Sequence, residues 1–211
     1  AMQWLGTHTS GYPFFLVIET VSSHHPFIEP ESRRQSEEAV FRDADRQLGH
    51  FYDALVEEGV LDTTLLLVVS DHRTMTPLRE SELDRFGEEA LSLVPFVLAD
   101  PASPEPQRVD NPFQQVDLVS SVRGMLSGRS CPTLVRGDVL NQPPTPPDCV
   151  LHPRADDRGR IDVRCGERWA VIRLRGDETH VEGGYMPGQE ALLSQINSER
   201  VDRAGIRLAR R

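Results

Sequence analysis

The sequence predicts an α/β fold: a mostly parallel sheet with helices on both faces, followed by a small C-terminal antiparallel hairpin subdomain. Two apolar runs, at residues 14–20 and 63–70, are typical of strands buried on both faces, and an amphipathic helical pattern lies between them. Polar and apolar residues alternate later, in GRIDVR and WAVIRLR. The first pattern favours parallel strands joined by helices, and the second favours an antiparallel hairpin.

The first unit along the chain is a strand, a helix and a second strand. FFLVIET at residues 14–20 follows Pro13 and predicts the first strand. Apolar side chains then recur every three or four positions over residues 35–58, which predicts a helix that Gly59 ends. TTLLLVVS at residues 63–70 predicts the second strand. A right-handed crossover through the helix would make these two strands parallel.

A second round of elements is less regular. It comprises a helix over residues 78–91, a strand over 94–100 and a helix over 113–126. Pro95 favours an edge position for the strand, because proline donates no hydrogen bond to a sheet. Residues 1–140 are therefore assigned to one α/β domain.

A proline-rich segment separates this domain from a smaller one. NQPPTPPD predicts a linker over residues 141–157. The subdomain assigned to residues 158–211 comprises an antiparallel hairpin over 159–175, a short strand over 179–181, a helix over 188–197 and a basic tail in solvent.

Composition excludes several function classes. The 211 residues include 33 acidic side chains and 23 basic ones, all arginine, for a net charge of −10. Nucleic-acid binding needs clustered positive charge, and Schiff-base chemistry needs lysine, so neither is expected. The longest apolar runs fall short of the roughly 20 residues that span a bilayer. The first eleven residues predict the end of a helix and lack the features of a signal peptide, so we expect a piece of a longer protein.

Three cysteines leave the redox state open. We predict a disulfide between Cys131 and Cys149 across the proline-rich loop, with Cys165 unpaired on the hairpin. Closing a loop of this length would stabilise the fold by about 3 kcal/mol. The alternative is three reduced thiols.

Polar clusters follow both strands of the first unit. Ser22, Ser23, His24 and His25 come after the first strand, and the Asp71–His72 pair comes after the second. The carboxyl ends of parallel strands open on one edge of a sheet, where ligands of such folds bind. A carboxylate oxygen beside an imidazole nitrogen suits Zn²⁺ or Mn²⁺. Each cluster alone is more typical of an exposed turn, but their shared placement favours a site.

These residues also resemble a known family. PFFLVIETVSSHHPF, then FRDADRQLGHFYDALVEEGVLDTTLLLVVSDH, VPFVLAD and FQQVDLVSSVRGML are similar, over residues 1–140, to the second half of a sulfatase-type domain of the alkaline phosphatase superfamily. Within that superfamily the sequence resembles lipoteichoic acid synthase-like phosphoglycerol transferases.

The resemblance implies roles for five residues. Asp71 and His72 would ligate a catalytic divalent metal, which is Mn²⁺, Zn²⁺ or Mg²⁺. His24 would contact the phosphate or sulfate of the substrate and stabilise its charge, with His25 as a neighbour. Arg73 stands where the family usually has glycine, and it either contacts the anionic substrate, assisting catalysis, or marks a decayed site.

The resemblance further implies the C-terminal part of an extracytoplasmic, metal-dependent phosphotransferase or hydrolase. Its substrate would be a phosphate or sulfate ester, lipid- or glycan-linked, and the parent protein would be membrane-anchored upstream. The nucleophile and the remaining acidic ligand lie in the family's first half, so we expect weak or no metal binding and no activity from these 211 residues. Alternatives are a non-catalytic binding or assembly domain and, if the nucleophile is a cysteine in a CxPxR context, a sulfatase proper.

Overall fold

The computed structural model of the chain describes residues 1–8, 13–21, 23–103, 105–130, 132–154, 157–176, 178–183, 186 and 188–209. It forms two compact units, Ala1–Pro106 and Gln107–Arg211. This division by compactness does not test the predicted end of the α/β domain at residue 140, which stays a prediction. Within the described residues, the helices all lack the combination of length and apolar composition that crossing a membrane requires.

In the part of the N-terminal unit that the structure describes, there are three α-helices and one pair of strands. They are α1 (Met2–His8), α2 (Glu37–Glu57), β1 (Leu66–Val69), α3 (Glu80–Phe86) and β2 (Phe96–Ala99). The predicted long helix is confirmed as α2. Ser36 caps its start, because its hydroxyl oxygen accepts the backbone N–H of Ala39 at 3.2 Å. Gly59 adopts the left-handed conformation, φ 67°, that commonly ends a helix.

The sheet of this unit corrects two predictions. Residues 14–20, predicted as a buried strand, form no regular secondary structure, and the side chain of Phe15 is 79% exposed. β1 pairs instead with β2, and the two strands run antiparallel, from Leu66 opposite Ala99 to Val69 opposite Phe96. The mostly parallel sheet is therefore not confirmed. The parallel prediction required residues 14–20 as a strand beside β1. Without that strand β1 pairs with β2, and antiparallel pairing is slightly more stable per residue than parallel pairing.

The C-terminal unit is built on a four-stranded antiparallel sheet in the order β3-β4-β5-β6. Its elements are α4 (Gln115–Ser127), β3 (Cys149–Pro153), β4 (Arg160–Cys165), β5 (Arg168–Arg175), β6 (Glu178–Gly183) and α5 (Gln189–Ala209). The predicted hairpin and third strand are confirmed as β4 to β6. β3 was not predicted and lies within the residues assigned to the linker. The helix predicted over residues 188–197 continues as α5 to Ala209, so the tail is helical and not frayed over this range. That the tail lies in solvent stays a prediction.

Alternation along the strands builds the core of this unit. Ile161 and Val163 of β4 and Ala170 and Ile172 of β5 are buried, and the residues between them point to the other face of the sheet. The same core includes the buried side chains of Val135, Cys149, Met186, Leu192 and Ile196. One face of the sheet is therefore covered, which is sufficient for an antiparallel sheet.

A disulfide joins Cys149 to Cys165, with an S–S distance of 2.02 Å. Cys165 was predicted to be unpaired and Cys149 was predicted to bond Cys131, and both predictions are wrong. Cys131 itself lies outside the described residues. The two bonded cysteines are direct partners in the register of β3 and β4. The unpredicted strand β3 is thus the reason that sequence spacing suggested the wrong pair.

Asp117 on α4 is fully buried and fixes a neighbouring loop. Its carboxylate accepts the backbone N–H of Gln114 at 2.8 Å and that of Gly137 at 3.1 Å. Burial raises the pKa of Asp117, and the two N–H groups oppose that rise. Ser121, one turn later, accepts the N–H of Val139 at 2.9 Å. Together the two side chains hold the loop at residues 137–139 against α4.

The disulfide assignment is directly testable. Peptide mapping without reduction should recover a cross-linked peptide that contains Cys149 and Cys165. Replacing both residues by alanine should lower the free energy of unfolding by about 3 kcal/mol in the chain-entropy model, given a sequence separation of 16. A cross-linked peptide that joins Cys131 to Cys149 would contradict the structure.

Asp117→Ala should destabilise the C-terminal unit by about 2 kcal/mol, because it leaves the buried N–H of Gly137 without its acceptor. Urea unfolding followed by tryptophan fluorescence measures the change. Asp110→Ala is the matched control, since Asp110 forms only an exposed ion pair with Arg108 and its loss should cost no more than about 0.5 kcal/mol. Equal losses in both variants would refute the role given to Asp117.

Candidate functional site

The loop after β1 carries the Asp71–His72 pair on one turn. Asp71 Oδ1 accepts the backbone N–H of His72 at 2.8 Å, and Asp71 Oδ2 lies 3.4 Å from Nε2 of the His72 ring. The hydroxyl of Ser70 donates to the carbonyl oxygen of His72 at 2.8 Å. The Asp71 side chain is 86% exposed, so the pair is accessible from solvent.

A backbone carbonyl orients the imidazole of His72. Nδ1 of the ring lies 2.6 Å from the carbonyl oxygen of Arg73. A carbonyl oxygen only accepts hydrogen bonds, so Nδ1 must carry the proton in this contact. In the neutral ring Nε2 then has the lone pair, on the side that faces Asp71. Histidine ligands of metal ions commonly have this arrangement, with the second ring nitrogen donating to a carbonyl or carboxylate.

The side chain of Arg73 is 12% exposed and is bonded within its own loop and to α3. Its Nε and Nη2 atoms donate to the two carboxylate oxygens of Glu82, at 3.1 and 2.6 Å. Its Nη1 atom donates to the carbonyl oxygens of Thr74 at 2.8 Å and Thr76 at 2.7 Å. The guanidinium group is therefore bound to protein groups on several sides.

Glu82 connects this loop to the start of α3. Besides Arg73, its Oε2 accepts the backbone N–H of Arg79 at 2.8 Å. The hydrogen bond from Arg73, and next the one from the Arg79 backbone, lower the pKa of Glu82 below its ordinary value of 4.5. Glu82 was not among the residues predicted from the sequence. Its signal was a glutamate at the third position of a helix, where it can reach back to a backbone N–H.

His24 and His25 lie in a separate loop. Nδ1 of His24 lies 2.7 Å from the carbonyl oxygen of His25, and the ring is exposed. The His25 ring packs edge-on against Phe27, with 5.7 Å between ring centroids. Phe27 is buried and contacts Phe41 of α2. His24 thus has an oriented, exposed imidazole, whereas His25 helps to pack the loop.

In the structure, Asp71, His72 and Arg73 lie on one loop, and His24 and His25 lie on another. Ser22, part of the same predicted cluster, lies outside the described residues. The predicted meeting of both loops at one sheet edge depended on a parallel strand at residues 14–20, which is not present. The approach of His24 to Asp71 in the working protein stays a prediction.

The donor chemistry of Asp71 and His72 suits a divalent metal but supplies two ligands. A catalytic zinc site generally has three protein ligands and one open position. Over the described part of the chain, no group of three or more His, Cys, Asp or Glu side chains is placed to hold a metal ion. The pair therefore fits part of a metal site and does not complete one.

Comparison with known proteins gives one match. A family model described as Sulfatase matches residues 1–128, more than half of the chain. The match includes both histidine-bearing loops, β1, β2 and α4. No curated protein matches the chain, and no solved structure does.

The ion pair of Arg73 and Glu82 predicts a pH dependence. Because the pKa of Glu82 is lowered in the folded state, the pair stabilises the loop above about pH 4.5 and this contribution is lost as the pH falls through the lowered pKa. In a ¹³C NMR titration, the carboxyl of Glu82 should titrate below 4.5, and Arg73→Gln should move its midpoint upward. Arg42→Gln, which removes an exposed pair with Glu38, should leave the midpoint unchanged. A midpoint that Arg73→Gln does not move would refute the pairing.

Proposed function

The chain belongs to the sulfatase family, and from this premise we propose that it is the C-terminal part of a metal-dependent phosphotransferase or hydrolase. Sulfatase-like domains act on sulfate and phosphate esters, and the family generally uses divalent metals. The observation that carries the proposal is the Asp71–His72 pair, with Nε2 of the ring turned toward the carboxylate and Nδ1 bound to a carbonyl.

The pair supplies two of the ligands of a divalent metal. A metal at such a site polarises an oxygen of the ester and lowers the pKa of an attacking hydroxyl. The remaining ligands and the nucleophile come from a part of the protein outside these 211 residues. This assignment is supported by the described residues, among which no group of three or more His, Cys, Asp or Glu side chains could hold a metal ion.

His24 binds the anionic group of the substrate. Its ring is exposed and its Nδ1 proton is held by the carbonyl of His25, so Nε2 is directed away from that contact. When protonated, Nε2 donates a hydrogen bond to an ester oxygen and stabilises the charge that develops there. His25 contacts Phe27 and keeps this loop in place.

The substrate class follows from the subtype that the sequence resembles. Lipoteichoic acid synthase-like enzymes transfer phosphoglycerol groups, so the ester is a phosphodiester on a lipid or glycan. The protein then works outside the cytoplasm, anchored to the membrane through an upstream segment. A disulfide between Cys149 and Cys165 is compatible with that oxidising location.

The alternative is a non-catalytic domain that keeps the sulfatase fold for binding or assembly. The incomplete set of ligands among the described residues favours it, as does the engagement of Arg73 with Glu82 in place of an open contact for substrate. The two functions differ in whether the full-length protein has turnover that depends on His72.

Metal binding and turnover test the proposal on two chains, the 211 residues given and the same protein extended through its upstream gene sequence. Calorimetry with Mn²⁺ and Zn²⁺ should show weak or no metal binding by the 211-residue chain, and a chromogenic phosphodiester assay should show no turnover. The extended chain should bind metal and hydrolyse the phosphodiester. In the extended chain, His72→Ala should weaken metal binding by about 100-fold or more. His24→Ala should keep metal binding and lower kcat by about 100-fold.

His50→Ala is the matched control, because His50 is exposed on α2 and lies outside both loops. It should change neither binding nor turnover. Micromolar metal binding by the 211 residues that His72→Ala removes, together with turnover, would show a complete site and refute the division of ligands. An extended chain that binds no metal and has no activity would support the non-catalytic alternative.

A further inference from the structure

Arg73 makes its contacts through both its side chain and its backbone. The side chain forms a two-pronged pair with Glu82 and donates to the carbonyl oxygens of Thr74 and Thr76. A planar guanidinium group suits such a contact, because its N–H groups are fixed in a fork that matches a carboxylate. These bonds tie the loop at residues 73–76 to the start of α3.

The backbone carbonyl of the same residue contacts the His72 ring. The 2.6 Å separation from Nδ1 makes this oxygen the acceptor of the Nδ1 proton. Any movement of the loop at Arg73 therefore changes the acceptor that selects the tautomer of His72. The carbonyl oxygen of His72 is itself held by the hydroxyl of Ser70 at 2.8 Å, which restricts the turn from the other side.

We propose that Arg73, anchored by Glu82, is a positioning residue that fixes the His72 ring with its proton on Nδ1 and its Nε2 toward Asp71. The purpose of this arrangement, to present Nε2 as a ligand, rests on the proposed function; the arrangement itself rests on the contacts of the loop. Arg73 then acts through its carbonyl and not as a contact to an anionic substrate, because its N–H groups are directed at Glu82 and at backbone oxygens.

The tautomer of His72 tests the proposal without any metal or substrate. Long-range ¹H–¹⁵N NMR spectra of the ¹⁵N-labelled 211-residue chain distinguish a ring with its proton on Nδ1 from a ring with its proton on Nε2. The signals of His72 are identified by their loss in His72→Ala. In the unaltered chain we expect Nδ1 to carry the proton.

Two substitutions should shift the tautomer. Glu82→Gln keeps an oxygen for the Arg79 N–H but removes the charge that holds Arg73. Arg73→Lys keeps a cation but cannot form the fork. In both variants we expect the ¹⁵N shifts of His72 to move toward a mixture of the two tautomers. Arg42→Gln, which removes an exposed ion pair with Glu38 on α2, is the control and should leave them unchanged.

A His72 ring protonated on Nε2 in the unaltered chain would overturn the proposal, and so would identical shifts in the unaltered chain, Glu82→Gln and Arg73→Lys. Circular dichroism of each variant establishes that the fold is retained. If one substitution unfolds the chain, the other decides the result.

Adding Mn²⁺ to a ¹⁵N-labelled sample of the chain extended upstream tests the proposed function separately. There, paramagnetic Mn²⁺ should broaden the signals of His72. Signals that stay sharp would count against His72 as a metal ligand, whereas the tautomer and its dependence on Glu82 would stand as measured.

Discussion

A strand that is apolar on both sides needs a packing layer on each face of its sheet, and this requirement governs the N-terminal unit. Residues 14–20 have the composition of such a strand but form no regular secondary structure, and Phe15 and Val17 are both more than 70% accessible. β1 and β2 pair only with each other among the described residues, and Val97 of β2 stays 58% exposed. Exposed apolar surface of this kind is typical of a surface that contacts another protein segment.

The C-terminal unit needs burial on only one face of its sheet, and residues of the same unit provide it. Its antiparallel sheet is apolar on one face, and that face packs against Met186 and against Leu192 and Ile196 of α5. The disulfide between β3 and β4 and the buried carboxylate of Asp117 add local constraints on chain segments that contain much proline. Burial on one side is enough here because the other face carries charged side chains such as Arg160 and Asp162, which form an ion pair.

The candidate site consists of two loops that are each stabilised locally. Asp71 and His72 depend on the turn that Ser70 and Arg73 hold, and Arg73 depends on Glu82 of α3. His24 depends on the loop that His25 and Phe27 pack against α2. Neither loop needs a complete sheet to keep its shape, because each imidazole ring is oriented by a carbonyl oxygen of its own loop.

The sequence by itself determined α2, the β4–β5 hairpin and the adjacency of Asp71 and His72, because these depend on periodicity, capping and chain neighbours. It also indicated the family, through a resemblance over residues 1–140 of which the family model matches 1–128. It did not determine that residues 14–20 stay unpaired, that β1 and β2 run antiparallel, or that Cys149 bonds Cys165. Nor did it indicate that Arg73 would bind Glu82, nine residues away. Only the tertiary structure decided these points, because strand pairing, disulfide partners and ion pairs between elements are set by which segments meet in space, and local patterns carry no record of that.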